Sequence, residues 1–373
     1  MINDWTSTEL GNTLTLKYGK GLHAKNRMHG SVPVYGSNGI VGWHNSPLIK
    51  KAGIIVGRKG SAGNVHYSSK PFFPIDTTFY ITDEDTNLNL KFLYYFLKHL
   101  NLKRILGDVG VPGLNREMAY REIISYPTNI IEQQKIAHIL STVQRAIEQQ
   151  ERLIQVTTEL KKALMHKLFT EGSRGEKQKE TDIGLVPESW EVVEIGDIFK
   201  FSSGKTRPQN TNKEKTKSFQ IPVYGGNGIL GFTDQVLLNK QVLILGRVGE
   251  YCGCAHLTEE RCWVSDNALY SREIKRQVNL EFIRNYFEHL NFNQYSNKMG
   301  QPLITQGIIE KVKFGLPTET EQNEIANIFT TVDSKIEFHQ KKFYLLKDLF
   351  KTLLHQLLTA QIRVHEIELG ENV

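Results

Sequence analysis

The sequence predicts an α+β protein in which two similar globular domains are separated by two long α-helices. Three observations support this prediction. An internal repeat covers nearly the whole chain, each repeat begins with short β-type runs broken by glycine, and each repeat ends in a long stretch that lacks proline and glycine. Strand runs bounded by turn residues followed by helices indicate α+β organisation. A duplicated unit of this kind predicts an internal pseudo-two-fold axis.

The repeat is clearest in one motif. The segment VPVYGSNGIVGW begins at Val32, and IPVYGGNGILGF begins at Ile221. Other matches follow in the same order in both halves, including Gly19-Lys20 with Gly204-Lys205, Gly57-Arg58 with Gly246-Arg247, and Glu132-Gln133 with Glu321-Gln322. Because repeats of this size reflect repeated structural units, the two halves are expected to share one fold.

Domain boundaries follow from the change in pattern along each half. Runs such as Gly53–Val56 and Gln241–Leu245 are typical of buried strands, and helical stretches follow at Asn89–Leu100 and Asn279–Leu290. The segment 171–184 is polar, so we predict an exposed linker there. The predicted organisation is a first domain at 1–128, a helix at 129–170, the linker at 171–184, a second domain at 185–317, a helix at 318–360 and a C-terminal tail at 361–373.

The two long helices carry apolar residues at alternating steps of three and four. This spacing is typical of a coiled-coil seam, so we predict that the helices pair with each other as an antiparallel coiled coil. At 1.5 Å per residue, the stretch of about 39 residues from Glu132 to Thr170 forms a rod about 58 Å long. The predicted seam consists of Ile136, Leu140, Val143, Ile147, Ile154, Leu164, Leu168, Ile325, Phe329, Val332, Ile336, Phe343, Leu353 and Leu357.

Composition excludes some classes of protein. The net charge of +6 and the pI of about 8.9 are compatible with a polyanionic partner, although charge alone fits other roles equally well. The N-terminal segment lacks the apolar region of a signal peptide, and no apolar run is long enough to span a membrane. Three cysteines, all in the second half, favour a reducing cytoplasm. Because their equivalents in the first half are not cysteines, we predict no metal site.

The order domain, helix, domain, helix has a functional consequence. If the helices pair antiparallel, the two domains are inverted relative to each other and held at a fixed distance. Double-stranded DNA has matching symmetry, and dimeric DNA-binding proteins use it through half-site spacing. One chain with two unequal domains can therefore read two different half-sites, separated by a gap that the helices set.

Several motifs then identify a family. Each domain opens with W-x4-[IL]-G-[ND], contains PVYG-x-NG and G-R-x-G, and is followed by P-x-x-x-EQ-x-x-I-A, with one extra residue in the first copy. The chain resembles the specificity subunits of type I restriction-modification systems over essentially all of its length. The positions that carry the opening motif are Trp5, Leu10, Gly11 and Asn12 in the first copy, and Trp190, Ile195, Gly196 and Asp197 in the second.

The resemblance implies which partners the chain binds and which subunits carry the catalytic sites. Such a subunit binds double-stranded DNA through two target-recognition domains, and it binds two modification subunits that carry an S-adenosylmethionine-dependent adenine methyltransferase site. Two restriction subunits that use ATP and Mg can join the complex. Consistent with a non-catalytic role, the chain has no [ND]-P-P-[YF], no Walker A loop and no H-E-x-x-H motif. We expect no catalytic residue and no cofactor in this chain.

The repeat also separates two kinds of DNA-contacting residue. Positions shared by both halves are candidates for framework or phosphate contacts, because phosphate contacts carry no sequence information. The shared candidates are Lys20 with Lys205, Asn38 with Asn227, and Arg58 with Arg247. Polar positions that differ are candidates for base readout, since Arg, Asn and Gln pair with base edges. The differing candidates are Lys25, Asn26, Arg27, Ser37, Lys59, Arg116, Arg207, Gln209, Asn210, Lys298 and Gln301.

A protein-binding scaffold built on the same architecture is the alternative. The two long helices alone would suit such an adaptor equally well. DNA binding through phosphates depends steeply on salt, whereas a protein adaptor would show no such dependence. The sequence leaves open the target bases and the gap length. It also leaves open which loop residues read bases, whether a restriction subunit exists, and the oligomeric state.

Overall fold

In the computed structural model, which describes residues 4–106, 113–296 and 302–364, the chain divides into two units. Unit 1 contains Met1–Glu151 together with Lys341–Val373, and unit 2 contains Arg152–Gln340. Each long helix therefore contributes one part to each unit. No helix in the described ranges has both the length and the apolar character needed to cross a bilayer.

Unit 1 contains a four-stranded sheet, a three-stranded sheet and a two-stranded ribbon. Its strands are β1 Trp5–Glu9, β2 Lys17–Tyr18, β3 Val32–Gly36, β4 Gly39–His44, β5 Gly53–Gly57, β6 Val65–Ser68, β7 Phe73–Pro74, β8 Thr78–Ile81 and β9 Ile123–Pro127. Its helices are α1 Leu90–Leu100, α2 Arg116–Tyr120 and the start of α3 Ile130–Glu171, with short 3-10 turns at Leu10–Asn12, Ala24–Asn26, Asp83–Asp85 and Leu102–Ile105. The strand orders are β2-β8-β5-β6, β4-β3-β7 and β1-β9.

Unit 2 repeats this arrangement after an added hairpin. Its strands are β10 Gln178–Thr181, β11 Gly184–Pro187, β12 Glu191–Glu194, β13 Phe199–Ser203, β14 Ile221–Gly225, β15 Gly228–Thr233, β16 Leu238–Asn239, β17 Leu243–Gly246, β18 Ala255–Leu257, β19 Arg261–Val264, β20 Ala268–Ile274 and β21 Lys313–Leu316. Its helices are α4 Ile195–Ile198, α5 Leu280–Leu290, α6 Gln306–Glu310 and the start of α7 Glu319–Leu358, with a 3-10 turn at Phe292–Tyr295. The order β13-β20-β17-β18 matches β2-β8-β5-β6 of unit 1, and β15-β14-β19-β16 matches β4-β3-β7 with β16 as an additional strand. The prediction of two repeated α+β domains is confirmed.

Each repeat contains a tight hairpin formed by the PVYG-x-NG motif. In unit 1, Gly36 pairs with Gly39 across the two-residue turn Ser37-Asn38. Gly39 has a φ of +107°, a conformation that residues with a Cβ rarely adopt. The equivalent Gly228 has a φ of +87°. The glycine after asparagine is therefore required by the backbone of the turn in both repeats.

The Glu-Gln pair at the start of each long helix ties that helix to its domain. The Nε2 of Gln133 donates to the carbonyl of Pro127 at 2.9 Å, and its Oε1 accepts from the backbone N–H of Asn89 at 2.7 Å. Asn89 in turn caps α1 by accepting from the N–H of Phe92. The equivalent Gln322 makes the same two bonds to Pro317 and Asn279. The repeated glutamine thus joins the last strand, the short helix and the long helix.

The apolar stripe of the long helices is buried mainly near the helix ends. Ile136, Leu140 and Leu357 belong to the core of unit 1, together with residues of α1 such as Phe92. Leu168, Ile325 and Phe329 belong to the core of unit 2. The stripe was expected to bury against the opposite helix, but at these positions it also packs against the globular domain. The coiled coil between the two helices stays a prediction.

Two predicted boundaries need correction. The segment predicted as a linker contains strand β10, which pairs with β11 from Gln178↔Pro187 to Thr181↔Gly184. Its side chains are polar and mostly exposed, as expected, but backbone hydrogen bonds order it. The predicted C-terminal tail begins inside unit 1, because Val364 is buried and Arg363 binds Glu132. The structural description ends at Val364.

Arg363 is expected to be important for the stability of unit 1. Its Nε and Nη2 donate to the two carboxylate oxygens of Glu132 at 2.7 and 2.9 Å, and the Glu132 side chain is 1% exposed. Replacing Arg363 by alanine leaves that buried carboxylate without its cation. Because Arg363 itself is partly exposed, we expect a cost of about 2–3 kcal/mol, below the usual loss for a broken buried pair.

Denaturant unfolding checks this prediction. Gln361→Ala is the control, because Gln361 is exposed and lies two residues away. Equal stabilities of the two variants would show that the ion pair contributes little.

Candidate nucleic-acid interface

Four loops meet at one end of the sheets in each unit, and we call this surface the loop face. In unit 1 the loop face comprises residues 18–20, 37–38, 58–60 and 113–116. In unit 2 it comprises residues 203–205, 226–227, 247–249 and 302–306. The carbonyl of Thr77 accepts from the N–H of Arg58 at 2.8 Å and from the Oγ of Ser37 at 2.6 Å, which joins two of the loops. The N–H of Leu114 donates to the carbonyl of Arg58 at 2.9 Å.

Unit 2 builds its loop face in the same way. The N–H of Ile304 donates to the carbonyl of Arg247 at 3.0 Å, as Leu114 does to Arg58. The N–H of Arg247 donates to the carbonyl of Asn267 at 2.9 Å. The two repeats therefore have equivalent backbone structures at their loop faces and carry different side chains there.

The Gly-Lys motif allows the first loop to approach its neighbour closely. A Cβ on Gly19 would lie 2.1 Å from the carbonyl oxygen of Ile75, and one on Gly204 would lie 2.2 Å from that of Ser265. The next residue in each repeat, Lys20 or Lys205, donates its backbone N–H to the neighbouring strand, while its side chain is exposed. Glycine is thus needed at this position, and the lysine lies on the surface.

The two arginines of the G-R-x-G motif are held by the fold. Arg58 donates from Nε at 3.1 Å and from Nη2 at 2.6 Å to the backbone carbonyl of Asp76. Arg247 donates from Nη1 to the Oγ of Ser203 at 3.3 Å, and its buried Nε has no hydrogen-bond partner in the described parts of the chain. Both guanidinium groups have restricted positions at the loop face.

Most other predicted contact residues lie at the surface. The exposed ones are Lys20, Lys25, Asn26, Asn38, Lys59, Lys205, Arg207, Gln209, Asn210 and Asn227. The partly exposed ones are Arg27, Arg58, Arg116 and Arg247. Lys298 and Gln301 lie outside the described residues. Whether any of these residues contacts DNA stays a prediction.

Ser37 was predicted to be an exposed readout residue, and this is wrong. Its side chain is buried, and its Oγ donates to the carbonyl of Thr77 at 2.6 Å. The serine hydroxyl therefore stabilises the loop face from within. The neighbouring Asn38 is the exposed residue of the turn, and its Oδ1 lies 3.4 Å from Nδ2 of Asn64.

Arg27 and Arg207 lie beside the hairpin strands β4 and β15. The Nη1 of Arg27 donates to the carbonyl of Val41 at 2.7 Å, and its Nη2 lies 3.4 Å from the carbonyl of Leu22. Arg207 is more exposed, and its hydrogen bond within the described ranges goes to the Oγ1 of Thr211 at 3.2 Å. Arg27 therefore helps to hold the hairpin, whereas Arg207 has more freedom to contact a ligand.

Sequence reasoning missed two features of this surface. Ile40 and Val41 after the first turn are exposed, and so are their equivalents Ile229 and Leu230. Tyr18 is also exposed and lies on the loop face beside Arg58. The repeated NGI[VL]G pattern could have indicated the exposed apolar pair. The sequence did not indicate the exposed tyrosine, because Tyr18 is replaced by serine in the second repeat and so belongs to no repeated pattern.

A histidine lies behind the hairpin turn in each repeat. The Nε2 of His66 lies 3.3 Å from the carbonyl oxygen of Ser37, and the His256 ring lies near Gly228. Burial lowers the pKa of both histidines below its ordinary value. Both rings are therefore expected to be neutral supports of the turn at neutral pH.

Comparison with known proteins shows what the chain is similar to. The family model of the type I restriction modification DNA specificity domain matches twice, at residues 2–158 and 187–347. The MjaVIII specificity subunit of Methanocaldococcus jannaschii is 27% identical over 317 residues, which cover 76% of this chain and 73% of the relative. The MjaX specificity subunit of the same organism is 27% identical over 291 residues, covering 73% and 68% of the two chains.

A solved structure supports the fold. The crystal structure of the S subunit of a type I restriction-modification system from M. genitalium superimposes with a TM-score of 0.76 at 20% identity. The match covers 96% of this chain and 97% of the other. The two-domain architecture with long helices is therefore shared along nearly the full length of both chains.

Proposed function

Because the chain belongs to the type I restriction-modification DNA specificity family, we propose that each of its two domains reads one half of a bipartite DNA target. Recognition of the DNA target is the role of this family, whose members are named specificity subunits and are not themselves catalytic. The observation that carries the proposal is that both loop faces share one backbone scaffold and differ in their exposed side chains.

The two loop faces differ at surface positions where side chains would contact base edges. Lys59 of the first loop face is replaced by Val248 in the second. The loop after the Gly-Lys motif carries Lys25 and Asn26 in one repeat. In the other repeat it carries Gln209 and Asn210. Shared cations such as Lys20 and Lys205 would contact phosphates, and the differing residues would contact base edges.

We further propose that the long helices dock two modification subunits and set the gap between the half-sites. Helix α7 has large apolar side chains with more than half of their surface exposed, namely Phe338, Tyr344 and Leu345. Exposed apolar patches of this kind mark protein-binding surfaces. The S-adenosylmethionine site would lie on the modification subunits, and ATP and Mg would be bound by restriction subunits where these join the complex.

The sequence of the methylated DNA motif tests the proposal. The chain is expressed with its modification subunit in a host that lacks other adenine methylation, and the modified bases of the genome are sequenced. The expected result is two short specific sequences separated by a gap of fixed length and indifferent composition. A single continuous motif, or methylation that does not depend on this chain, would overturn the proposal.

Arg207→Ala is expected to relax recognition of one half-site only. An arginine that binds a guanine edge with two hydrogen bonds contributes about 1–3 kcal/mol of discrimination, and exposed Arg207 has little structural role to lose. Binding is measured on duplexes with each base pair of the motif replaced in turn, and Lys213→Ala serves as the exposed cationic control. An equal loss of affinity on every duplex would assign Arg207 to a phosphate instead.

Inserting four residues into each long helix, after Glu151 and after Gln340, is expected to lengthen the gap. Four helical residues add about 6 Å, which corresponds to about two base pairs at 3.4 Å each. The half-site sequences should stay the same, because the loop faces are untouched. Modified-base sequencing of the variant checks both points, and an unchanged gap would contradict a spacing role of the helices.

A further inference from the structure

We propose that Tyr18, Arg58 and Arg116 form a phosphate-binding site for the DNA backbone in unit 1, and that the described residues of unit 2 form no equivalent site. This inference rests on the proposed DNA-binding function. It names the chemical group that is bound, a backbone phosphate, and it adds a difference between the two domains. The first domain supplies more of the affinity that does not depend on DNA sequence.

The three side chains meet at the exposed surface of the loop face. The Cζ atoms of Arg58 and Arg116 each lie 5.4 Å from the centroid of the Tyr18 ring. Tyr18 is 53% exposed, so a ligand in solvent can reach the cluster. Both distances fall within the range of cation–π attraction, which partly offsets the repulsion between the two guanidinium groups.

The cluster keeps a net positive charge. The hydrogen bonds of Arg58 go to the carbonyl of Asp76, a neutral acceptor that fixes the guanidinium group without neutralising it. The Nε of Arg116 lies 3.4 Å from Oε1 of its neighbour Glu117, whose side chain is 67% exposed. Exposed ion pairs between neighbours contribute little. Among the described residues, the ion pair with Glu117 is the one found for these two guanidinium groups, and it is weak.

The fold already uses one edge of the Arg58 guanidinium group. The side of Arg58 formed by Nε and Nη2 is occupied by Asp76, so this edge cannot make a bidentate contact with guanine. Attraction to a phosphate needs charge and a remaining donor, and Nη1 of Arg58 together with Arg116 can supply both. A group that is held in place before binding also loses little conformational entropy when the ligand arrives.

Unit 2 lacks two of the three side chains. Tyr18 corresponds to Ser203, which follows from the equivalent pairings Tyr18↔Phe79 and Ser203↔Leu269. Arg116, the first residue of α2, corresponds to Gln306, the first residue of α6. The remaining Arg247 donates to Ser203 at 3.3 Å. A single guanidinium group without an aromatic ring takes the place of the cluster.

The test exchanges these residues between the domains in the assembled methyltransferase complex. Binding to cognate and unrelated duplexes is measured over a range of salt concentrations for wild type, Arg116→Gln and Arg116→Lys. Arg116→Gln is expected to reduce the slope of log K against log[salt] by about 0.9, the value for one lost phosphate contact. The loss should be equal on both duplexes, the methylated motif should be unchanged, and Arg116→Lys should keep the wild-type slope.

The double variant Ser203→Tyr with Gln306→Arg makes the reverse change in unit 2 and is expected to increase the slope by about the same amount. An unchanged slope in Arg116→Gln, or a loss confined to one base pair of the motif, would overturn the phosphate site. Thermal unfolding of each variant shows whether unit 1 is still folded. If the wild-type complex shows no bipartite motif, the proposed function itself fails, which is a different outcome.

Discussion

Replacing Glu321 by alanine is expected to destabilise unit 2 by about 2–4 kcal/mol. The glutamate side chain is fully buried in the first turn of α7. Its Oε1 accepts from the N–H and the Oγ of Ser173 at 2.8 and 3.0 Å, and its Oε2 accepts from Nε1 of buried Trp190 at 3.1 Å. Alanine leaves Nε1 of buried Trp190 without an acceptor, and a buried unsatisfied donor costs about 1–3 kcal/mol. It also removes the hydrogen bonds from exposed Ser173, which water can replace in part.

Denaturant unfolding followed by tryptophan fluorescence measures this effect. Glu324→Ala is the matched control, because exposed Glu324 accepts from the same Ser173 hydroxyl at 3.1 Å but does not contact Trp190. We expect the control to cost less than about 1 kcal/mol. Similar losses in both variants would show that the bond to Trp190 contributes little to stability.

Adding a methyl group at Gly19 or Gly204 is expected to weaken recognition of one half-site strongly. The new Cβ would lie 2.1 or 2.2 Å from a backbone carbonyl oxygen, so the loop bearing Lys20 or Lys205 must move away from the neighbouring strand. Overpacking of this kind typically costs about 1–3 kcal/mol and shifts the backbone. Gly19→Ala should affect the half-site read by unit 1, and Gly204→Ala the one read by unit 2.

Binding to duplexes that keep only one cognate half-site distinguishes the two variants. Gly21→Ala and Gly307→Ala are controls, because a Cβ at either position meets no atom within 4 Å. Loss of the same half-site in both variants would contradict the assignment of one half-site to each domain. A loss as large in the controls would show that these loops tolerate no substitution for reasons other than the close approach.

The repeated order of motifs could be predicted from the sequence alone, and so could much of the secondary structure. The predicted helix 89–100 is observed as Leu90–Leu100 with Asn89 as its cap, and the long helix predicted at 129–170 is observed as Ile130–Glu171. The linker hairpin was missed, because β10 consists of polar residues without an apolar alternation. Its order depends on pairing with the apolar strand β11.

The candidate site was less predictable than the fold. The sequence located the loops that form the loop face, because glycine and asparagine mark tight turns. It could not show that Ser37 points inward, since an exposed and a buried serine in a turn look the same in a sequence. It also could not show that Arg58 is held by the carbonyl of Asp76, because this contact joins residues that are distant along the chain.

By itself, the sequence determined that this protein consists of two copies of one α+β domain, each followed by a long helix. Repeats and apolar spacing are local patterns, and local patterns specify secondary structure and its order. Only the tertiary structure decided which polar side chains are buried, and that Tyr18, Arg58 and Arg116 meet in one place. Such contacts arise when loops far apart in the sequence are packed together, so no local pattern encodes them.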